Sequence, residues 1–269
     1  MRSTSLSPGP LARAVIGIIV GLFVVVPLAM TVEYTFRNNG GGHTIAHWTA
    51  IFAPSSSSTY APLWRGLTNS MILMVATVVI VLVLLVPTMI LINLRFQRLR
   101  RIFEFIALLP ITIPAVVLVV GLAPIYKVIG RSVGTSAWTL CFVYGILVLP
   151  YAFRAIQAGI DSINMTTLAE AARSLGASWM SVVVRVLVPN LRTGILAGCL
   201  ISVAVVLGEY TIASLLNRQN LQTALVVVNQ TDAYIAVIFS LLALAFCFIL
   251  LFLIGRLGRV GTSRKEGQS

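Results

Sequence analysis

The amino-acid sequence predicts an all-α membrane protein with six transmembrane helices. Hydrophobic residues make up 58% of the chain and charged residues only 10%, whereas a soluble domain carries about 25% charged residues. The mean hydropathy is +1.00. Uncharged stretches near the roughly 20 residues that a helix needs to cross a bilayer recur along the chain. Strand-like alternation of polar and apolar residues does not recur, so we expect these stretches to be helices.

The six predicted spans are the uncharged stretches at residues 14–32, 66–94, 105–126, 132–153, 193–208 and 233–255. The first follows a basic N-terminus, as in a signal peptide, but its 19 residues exceed the usual signal core of roughly 7–15 residues. We therefore expect it to remain as an anchor. Glu209 interrupts the fifth span, and we expect that helix to continue through residues 210–216 to reach the required length.

Basic residues predict the orientation of the spans. With the N-terminus in the cytoplasm, fourteen of the nineteen Lys and Arg residues fall in inside segments, as the positive-inside rule requires. Both termini, residues 1–13 and 256–269, are then cytoplasmic and flank a membrane domain of residues 14–255. The net charge of +12 is explained by topology and lipid contact. Because these charges are scattered at membrane boundaries, nucleic acid is not an expected partner.

Neither metal nor disulfide chemistry is indicated. The three cysteines lie inside predicted spans and lack metal-ligand spacing. His43 and His47 are four residues apart, as in a helical metal site, but no third ligand accompanies them. Turn-forming tracts around them predict that residues 33–65 form an outside surface loop.

Two prolines lie early in the third predicted span. Pro110 and Pro114 each remove a helical hydrogen bond, which a bilayer tolerates only where neighbours compensate. Two interpretations are open. The pair is either a kink that shapes packing or a cavity wall along a translocation path.

The segment between the fourth and fifth spans is the most informative part of the chain. Residues 161–189 are far more than an antiparallel connection needs. A helix is predicted over residues 165–175, with Thr166 or Thr167 as its cap and Glu170 near its positive end.

A glycine divides this insert into two helices. Gly176 permits a reversal of the backbone, and a second helix is predicted over residues 178–188, before Pro189. Small side chains at Ala171 and Ala172 allow another protein to approach closely. The sequence therefore predicts a helix–turn–helix that projects into the cytoplasm as a docking surface.

The insert resembles the cytoplasmic signature of permease subunits of binding-protein-dependent ABC importers. Valine replaces the aliphatic residues usual near its end, which is a conservative change, and the resemblance extends over about residues 65–255. It implies a type I ABC importer-like fold. The matching positions are Glu170, Ala171, Ala172, Gly176, Val186, Val188 and Pro189.

This resemblance also implies the partners. The insert is expected to be a coupling helix in a groove of a separate ABC ATPase, present in two copies, which binds ATP and Mg. A second permease subunit, expected to be heteromeric, and an extracytoplasmic solute-binding protein complete the importer in a bacterial inner membrane. This sequence has no Gly-x4-Gly-Lys-Ser/Thr phosphate loop. We therefore expect a transport subunit, not an enzyme, with no cofactor of its own.

Residues 208–216 are similar to permeases of the spermidine/putrescine group, which also includes relatives for other solutes such as phosphonates. A small polar solute, with a polyamine as one candidate, is therefore expected. Glu209 is costly in lipid and either contacts a cationic solute or pairs with an arginine or the second subunit. Tyr210 offers a cation–π surface. Together with Pro110 and Pro114, these residues are the predicted substrate path, below a binding protein docked on the outside loops.

Two other classes of protein with many spans fit this sequence less well. A secondary transporter or channel more often has inverted repeats or several ionisable residues in its spans, and here Glu209 alone qualifies strongly. An intramembrane enzyme needs a convergent catalytic cluster, yet both histidines lie in one outside loop. Neighbouring genes for an ATPase and a binding protein discriminate between the importer and these alternatives.

Overall fold

The structure, a computed structural model, describes residues 9–38, 40–53 and 60–260. The outermost parts of the predicted cytoplasmic termini, and residues 39 and 54–59 of the predicted outside loop, lie outside the described residues. Short 3-10 turns, Gln97–Leu99 and Leu109–Thr112, flank the fourth helix. The helices, numbered in chain order, are α1 Pro10–Tyr34, α2 Ala46–Ala50, α3 Ala61–Arg95, α4 Arg100–Leu108, α5 Ala115–Ser132, α6 Ala137–Asp161, α7 Met165–Ser174, α8 Trp179–Asn190, α9 Arg192–Gly208, α10 Thr211–Leu215, α11 Leu221–Asn229 and α12 Ala233–Val260.

The predicted all-α membrane fold is confirmed. Among the described residues, five helices are long and apolar enough to cross a membrane, namely α1, α3, α5, α6 and α12. A sixth span results if α8 and α9, which are bent by 74° relative to each other, count together. Helix α7 lies between α6 and this bent pair, whereas the second helix of the insert, α8, is part of the pair. We call the end of the molecule that carries residues 161–189 the insert end, and the end that carries residues 216–220 the loop end.

The third span begins later than expected, because prolines break it. Helix α4 ends at Leu108, and a 3-10 turn follows that contains the buried Pro110. Ile113 is extended (φ −98°, ψ 119°), as is usual for a residue before proline, and Pro114 precedes the first residue of α5. The prolines therefore separate two helices instead of kinking one.

The fifth span ends earlier than expected. The continuation of its helix through residues 210–216 is wrong, since α9 stops at Gly208 and Glu209 is extended (φ −84°, ψ 119°). The short helix α10 then starts anew at Thr211. Side chains from α11 and its cap supply the bonds that a continued helix would have made, as described below.

Buried apolar clusters join the helices. At the insert end, one cluster unites α3, α6, α7, α8 and α9. A second unites α3, α5, α6, α9 and α10, and a third holds α11 and α12 against the start of α3. Helices α6 and α9 meet at Gly159 and Gly194, where a Cβ added to Gly194 would lie 2.9 Å from the Ala155 carbonyl oxygen. Small residues at this contact permit the close packing typical of membrane helices.

Two proline-linked π segments border one crevice. In α3, the π turn Val81–Leu85 precedes Pro87, and in α8 the π turn Val182–Leu187 precedes Pro189. Proline lacks the N–H of a regular helix, and widened turns are a common way to accommodate such a site. The next residue adds a bond in both cases: Thr88 Oγ1 donates to the Leu84 carbonyl at 2.6 Å, and Asn190 Nδ2 donates to that of Val186 at 2.7 Å.

Helix α1 stands apart from this core. None of its residues is buried, and its contact with the bundle lies at its end, where the ring of Tyr34 stacks on that of Tyr234 with centroids 5.0 Å apart. Its apolar sides are therefore exposed to lipid or to another subunit.

Candidate functional site

The insert starts with a capped helix. The Asn164 side-chain oxygen accepts a hydrogen bond from the Thr167 N–H at 3.2 Å, so Asn164 caps α7. The expected cap at Thr166 or Thr167 is wrong by two or three positions. Asparagine is among the best N-cap residues, so Asn164 itself was the signal for the cap in the sequence.

Gly176 closes α7 in the conformation that the sequence predicts. Its φ is +84°, the left-handed region that glycine adopts without strain. Its N–H donates to the Arg173 carbonyl at 3.0 Å, and the Ala177 N–H donates to the Ala172 carbonyl at 3.1 Å. These are the two hydrogen bonds of a Schellman motif. The Arg173 guanidinium also donates to the Ala177 carbonyl at 2.9 Å. Two backbone hydrogen bonds and one side-chain hydrogen bond, all within residues 172–177, therefore fix this turn.

One face of α7 is anchored and the other is free. Met165 and Ala169 are buried in the insert-end cluster, and Ala172 packs partly against it. Glu170 and Ala171 are exposed on the other side. Ala171 is therefore accessible to another protein, whereas Ala172 packs partly within the chain; that the two alanines face a partner stays a prediction.

The exposed face has charge and apolar area without partners in the chain. Glu170 makes no hydrogen bond or ion pair with any described residue. Leu175 is 88% exposed, which is unusual for a leucine between two helices. Pro189, at the end of the insert, is also exposed and lies in the last turn of α8.

A polar network beside the insert was not predicted. Asp161, at the end of α6, accepts hydrogen bonds from Arg100 Nη2 and Gln157 Nε2, both at 2.9 Å. Asn93 Nδ2 in turn donates to Gln157 Oε1 at 3.4 Å. Asn93, Arg100 and Asp161 border a cavity of about 540 Å³ that extends to Asn164. The network joins α3, α4 and α6 beside α7. Its signal in the sequence was weak: one aspartate, Asp161, and a short basic loop elsewhere in the chain.

Glu209 stabilises the start of α10. Its Oε1 accepts a hydrogen bond from the Ile212 N–H at 2.6 Å. Among the described residues it forms no ion pair with an arginine. The side chain is partly exposed, and the adjoining Gly208 and Tyr210 are exposed, so a second molecule has access to this point.

Asn220 explains how α9 can end inside the bundle. This fully buried side chain donates through Nδ2 to the Glu209 carbonyl at 2.6 Å and to Tyr144 Oη at 3.3 Å. Gln222 Nε2 donates to the Leu207 carbonyl at 2.7 Å. Carbonyls freed at a helix end are therefore satisfied, as a membrane interior demands. Sequence reasoning missed Asn220, although its capping box with Thr223 follows a readable pattern.

The four residues of the predicted substrate path do not share one cavity at the loop end. Tyr210 borders a cavity of about 410 Å³ there, whereas Pro110 and Pro114 are not among its lining residues. Pro110 is buried beside α6, and Pro114 is exposed at the start of α5. The structure thus places Glu209 and Tyr210 beside each other and leaves the proline pair at a separate place.

In the loop that is predicted to lie outside, both histidines make contacts within the chain. His43 Nε2 lies 3.3 Å from Glu33 Oε1, and His47 stacks on Tyr234 with ring centroids 4.1 Å apart. Nearby, Tyr60 Oη donates to Asp232 Oδ2 at 3.0 Å, and burial raises the pKa of Tyr60. The described residues contain no group of three or more His, Cys, Asp or Glu side chains placed to hold a metal ion.

Comparison with known proteins gives one family and several relatives. Residues 89–259 match the family described as binding-protein-dependent transport system inner membrane component. The spermidine/putrescine transport system permease protein PotB of Haemophilus influenzae is 25% identical, with 72% of each chain covered. PotB of Salmonella typhimurium is 33% identical over 81 residues, which are 30% of this chain and 27% of that protein. PotC of Haemophilus influenzae is 28% identical over 38% of each chain.

Proposed function

We propose a function from the premise that this chain belongs to the family of binding-protein-dependent transport system inner membrane components. The chain is the permease subunit of an ATP-driven importer in a bacterial inner membrane, with both termini in the cytoplasm. It translocates a small polar solute that an extracytoplasmic binding protein delivers. The observation that carries this proposal is the two-sided helix α7, anchored by Met165 and Ala169 and free at Glu170, Ala171 and Leu175.

The insert is the coupling element of this transporter. Its exposed face, together with Gly176 and Pro189, sits in a groove of the ATPase, which holds ATP and Mg²⁺. Since the buried face of α7 belongs to the same cluster as α3, α6, α8 and α9, a displacement of α7 moves helices on both sides of the bundle. Close packing makes such a cluster transmit strain instead of absorbing it.

Two ATPase copies and a second permease subunit complete the assembly. Similarity to both PotB and PotC, which are two differently named permease proteins, supports a heteromeric pair. The unburied helix α1 and the largely exposed helix α5, of which 11% is buried, provide apolar surface for the second subunit.

A polyamine is the cargo that the names of the relatives favour. The Glu209 carboxylate supplies a negative charge and the exposed Tyr210 ring a cation–π surface at the end of α9. A phosphonate or another small solute is the alternative cargo. Identification of the ligand that copurifies with the cognate binding protein decides between them.

The test of the coupling role is a charge reversal on α7. Glu170→Lys replaces the carboxylate that faces the ATPase groove with an ammonium group. We therefore expect normal membrane insertion and protein level but loss of uptake. ATP hydrolysis should no longer rise when the loaded binding protein is added. Solute uptake into cells and ATP hydrolysis by the purified complex are the measurements.

Glu104→Lys is the matched control, because Glu104 is also exposed and lies on α4 outside the insert. This variant should transport normally. Normal uptake by Glu170→Lys at a normal protein level, or transport without any ATPase, contradicts the proposed function.

A further inference from the structure

Arg218 is held in a fixed position at the loop end. It follows Asn217, whose φ is +52°, and its own N–H donates to the Ala213 carbonyl at 2.8 Å. Its guanidinium lies against the end of α5, where a Cβ added to Gly130 would be 3.8 Å from Nη2. The loop backbone and α5 therefore position this side chain.

The guanidinium lacks a partner within the described chain. Its Nε is buried and makes no hydrogen bond with any described residue. The neighbouring Tyr126 hydroxyl is already engaged, because it donates to the Thr139 carbonyl and accepts from the Val143 N–H. A buried polar group without a partner is costly and rare, and for arginine it calls for a carboxylate or another anion.

The acidic residues that the structure describes do not supply that anion. Among the described residues of the loop end, Glu33 binds Arg37 and His43, and Asp232 binds the Tyr60 hydroxyl. Glu209 is committed to the Ile212 N–H. Exposed basic residues also lie at this end, so the local charge is positive. They are Arg65, Lys127 and Arg131.

Arg218 lines a cavity suited to a carboxylate. The cavity measures about 410 Å³ and has no acidic residue in its wall. Hydrogen-bonding side chains line the same cavity, so a carboxylate that enters meets further donors. These side chains are Tyr210, Ser214 and Asn217.

We propose that this cavity is a docking pocket for a carboxylate side chain of the extracytoplasmic solute-binding protein, which pairs with Arg218. The inference rests on the proposed function. A cationic cargo, the kind named for the relatives, is repelled by Arg218, so the carboxylate belongs to the docking protein and not to the solute. The exposed basic residues of the loop end attract an acidic surface to this end, and the guanidinium then fixes its position.

The experiment uses the complete transporter in lipid nanodiscs and the purified binding protein encoded with it. Arg218→Gln removes the charge, Arg218→Lys keeps it, and the control Arg101→Gln removes an exposed charge at the insert end. Titration at low and high salt gives the Kd of the binding protein. We expect Arg218→Gln to raise Kd at least about tenfold and to weaken its salt dependence, Arg218→Lys to raise Kd less, and Arg101→Gln to change it less than about threefold.

Three results overturn the proposal. An unchanged Kd for Arg218→Gln shows that no carboxylate of the binding protein uses the pocket. Reduced uptake with an unchanged Kd assigns the anion to the cargo. If Arg218→Gln does not assemble, a Kd of the unmodified complex that does not rise with salt contradicts the proposal, because salt screens the pairing of exposed charges. Failure of the proposed function is seen separately, as absence of ATP hydrolysis in the unmodified complex.

Discussion

At the residue scale, Glu209 accepts two hydrogen bonds, one through its side-chain carboxylate and one through its main-chain carbonyl. The carboxylate receives the Ile212 N–H, and the main-chain carbonyl receives the buried Asn220 amide. A charge in lipid is expensive, and here it lies at a helix break with an exposed neighbour on either side. The cost of the charge is offset by a charge-assisted hydrogen bond and by the partial exposure of the side chain.

Two substitutions of Glu209 distinguish capping from solute contact. Glu209→Gln keeps an oxygen for the Ile212 N–H but removes the charge, so we expect unchanged thermal stability and reduced uptake of a cationic solute. Glu209→Ala removes both and should also lower the free energy of unfolding by about 0.5–2 kcal/mol, as loss of a cap does. Thermal unfolding in detergent and uptake assays measure the two effects. Full uptake by the Gln variant would show that the charge is not needed.

At the element scale, local residue patterns predicted some features, and long-range contacts decided others. The glycine turn of the insert was predictable because Gly176 acts through its own backbone conformation. The end of α9 was not, because the groups that satisfy its last carbonyls, Asn220 and Gln222, come from a segment beyond the next helix. Pro110 and Pro114 were visible in the sequence, but the hydropathy of residues 105–126 led us to predict one continuous span where the structure has two helices.

Small residues set the distance between helices α6 and α9. A side chain at Gly194 would lie 2.9 Å from the Ala155 carbonyl, so Gly194→Val should push the two helices apart. We expect a loss of about 1–3 kcal/mol in the free energy of unfolding. Gly208→Ala is the control on the same helix, because a Cβ there has no heavy atom within 4 Å. Equal melting temperatures for both variants, measured in the same detergent, would contradict this packing.

At the scale of the whole molecule, three features lack a partner among the described residues. Helix α1 has no buried residue, Arg218 meets no described anion, and Glu170 meets no described cation. Each lies in a different region, which we assign in turn to the second permease subunit, the binding protein and the ATPase. Hydropathy and charge bias were enough to predict the membrane class, but the sequence alone could not show which of the polar residues would find partners within the chain.

The central claim is that the exposed face of α7 contacts the ATPase. A photo-crosslinking amino acid at Ala171, which is exposed and beside Glu170, tests it in the assembled transporter, with the same label at the exposed loop-end residue Ser214 as the control. We predict that light links the Ala171 label to the ATPase and that the Ser214 label forms no such link. Absence of an ATPase crosslink from Ala171, with both subunits present at normal levels, would contradict the account.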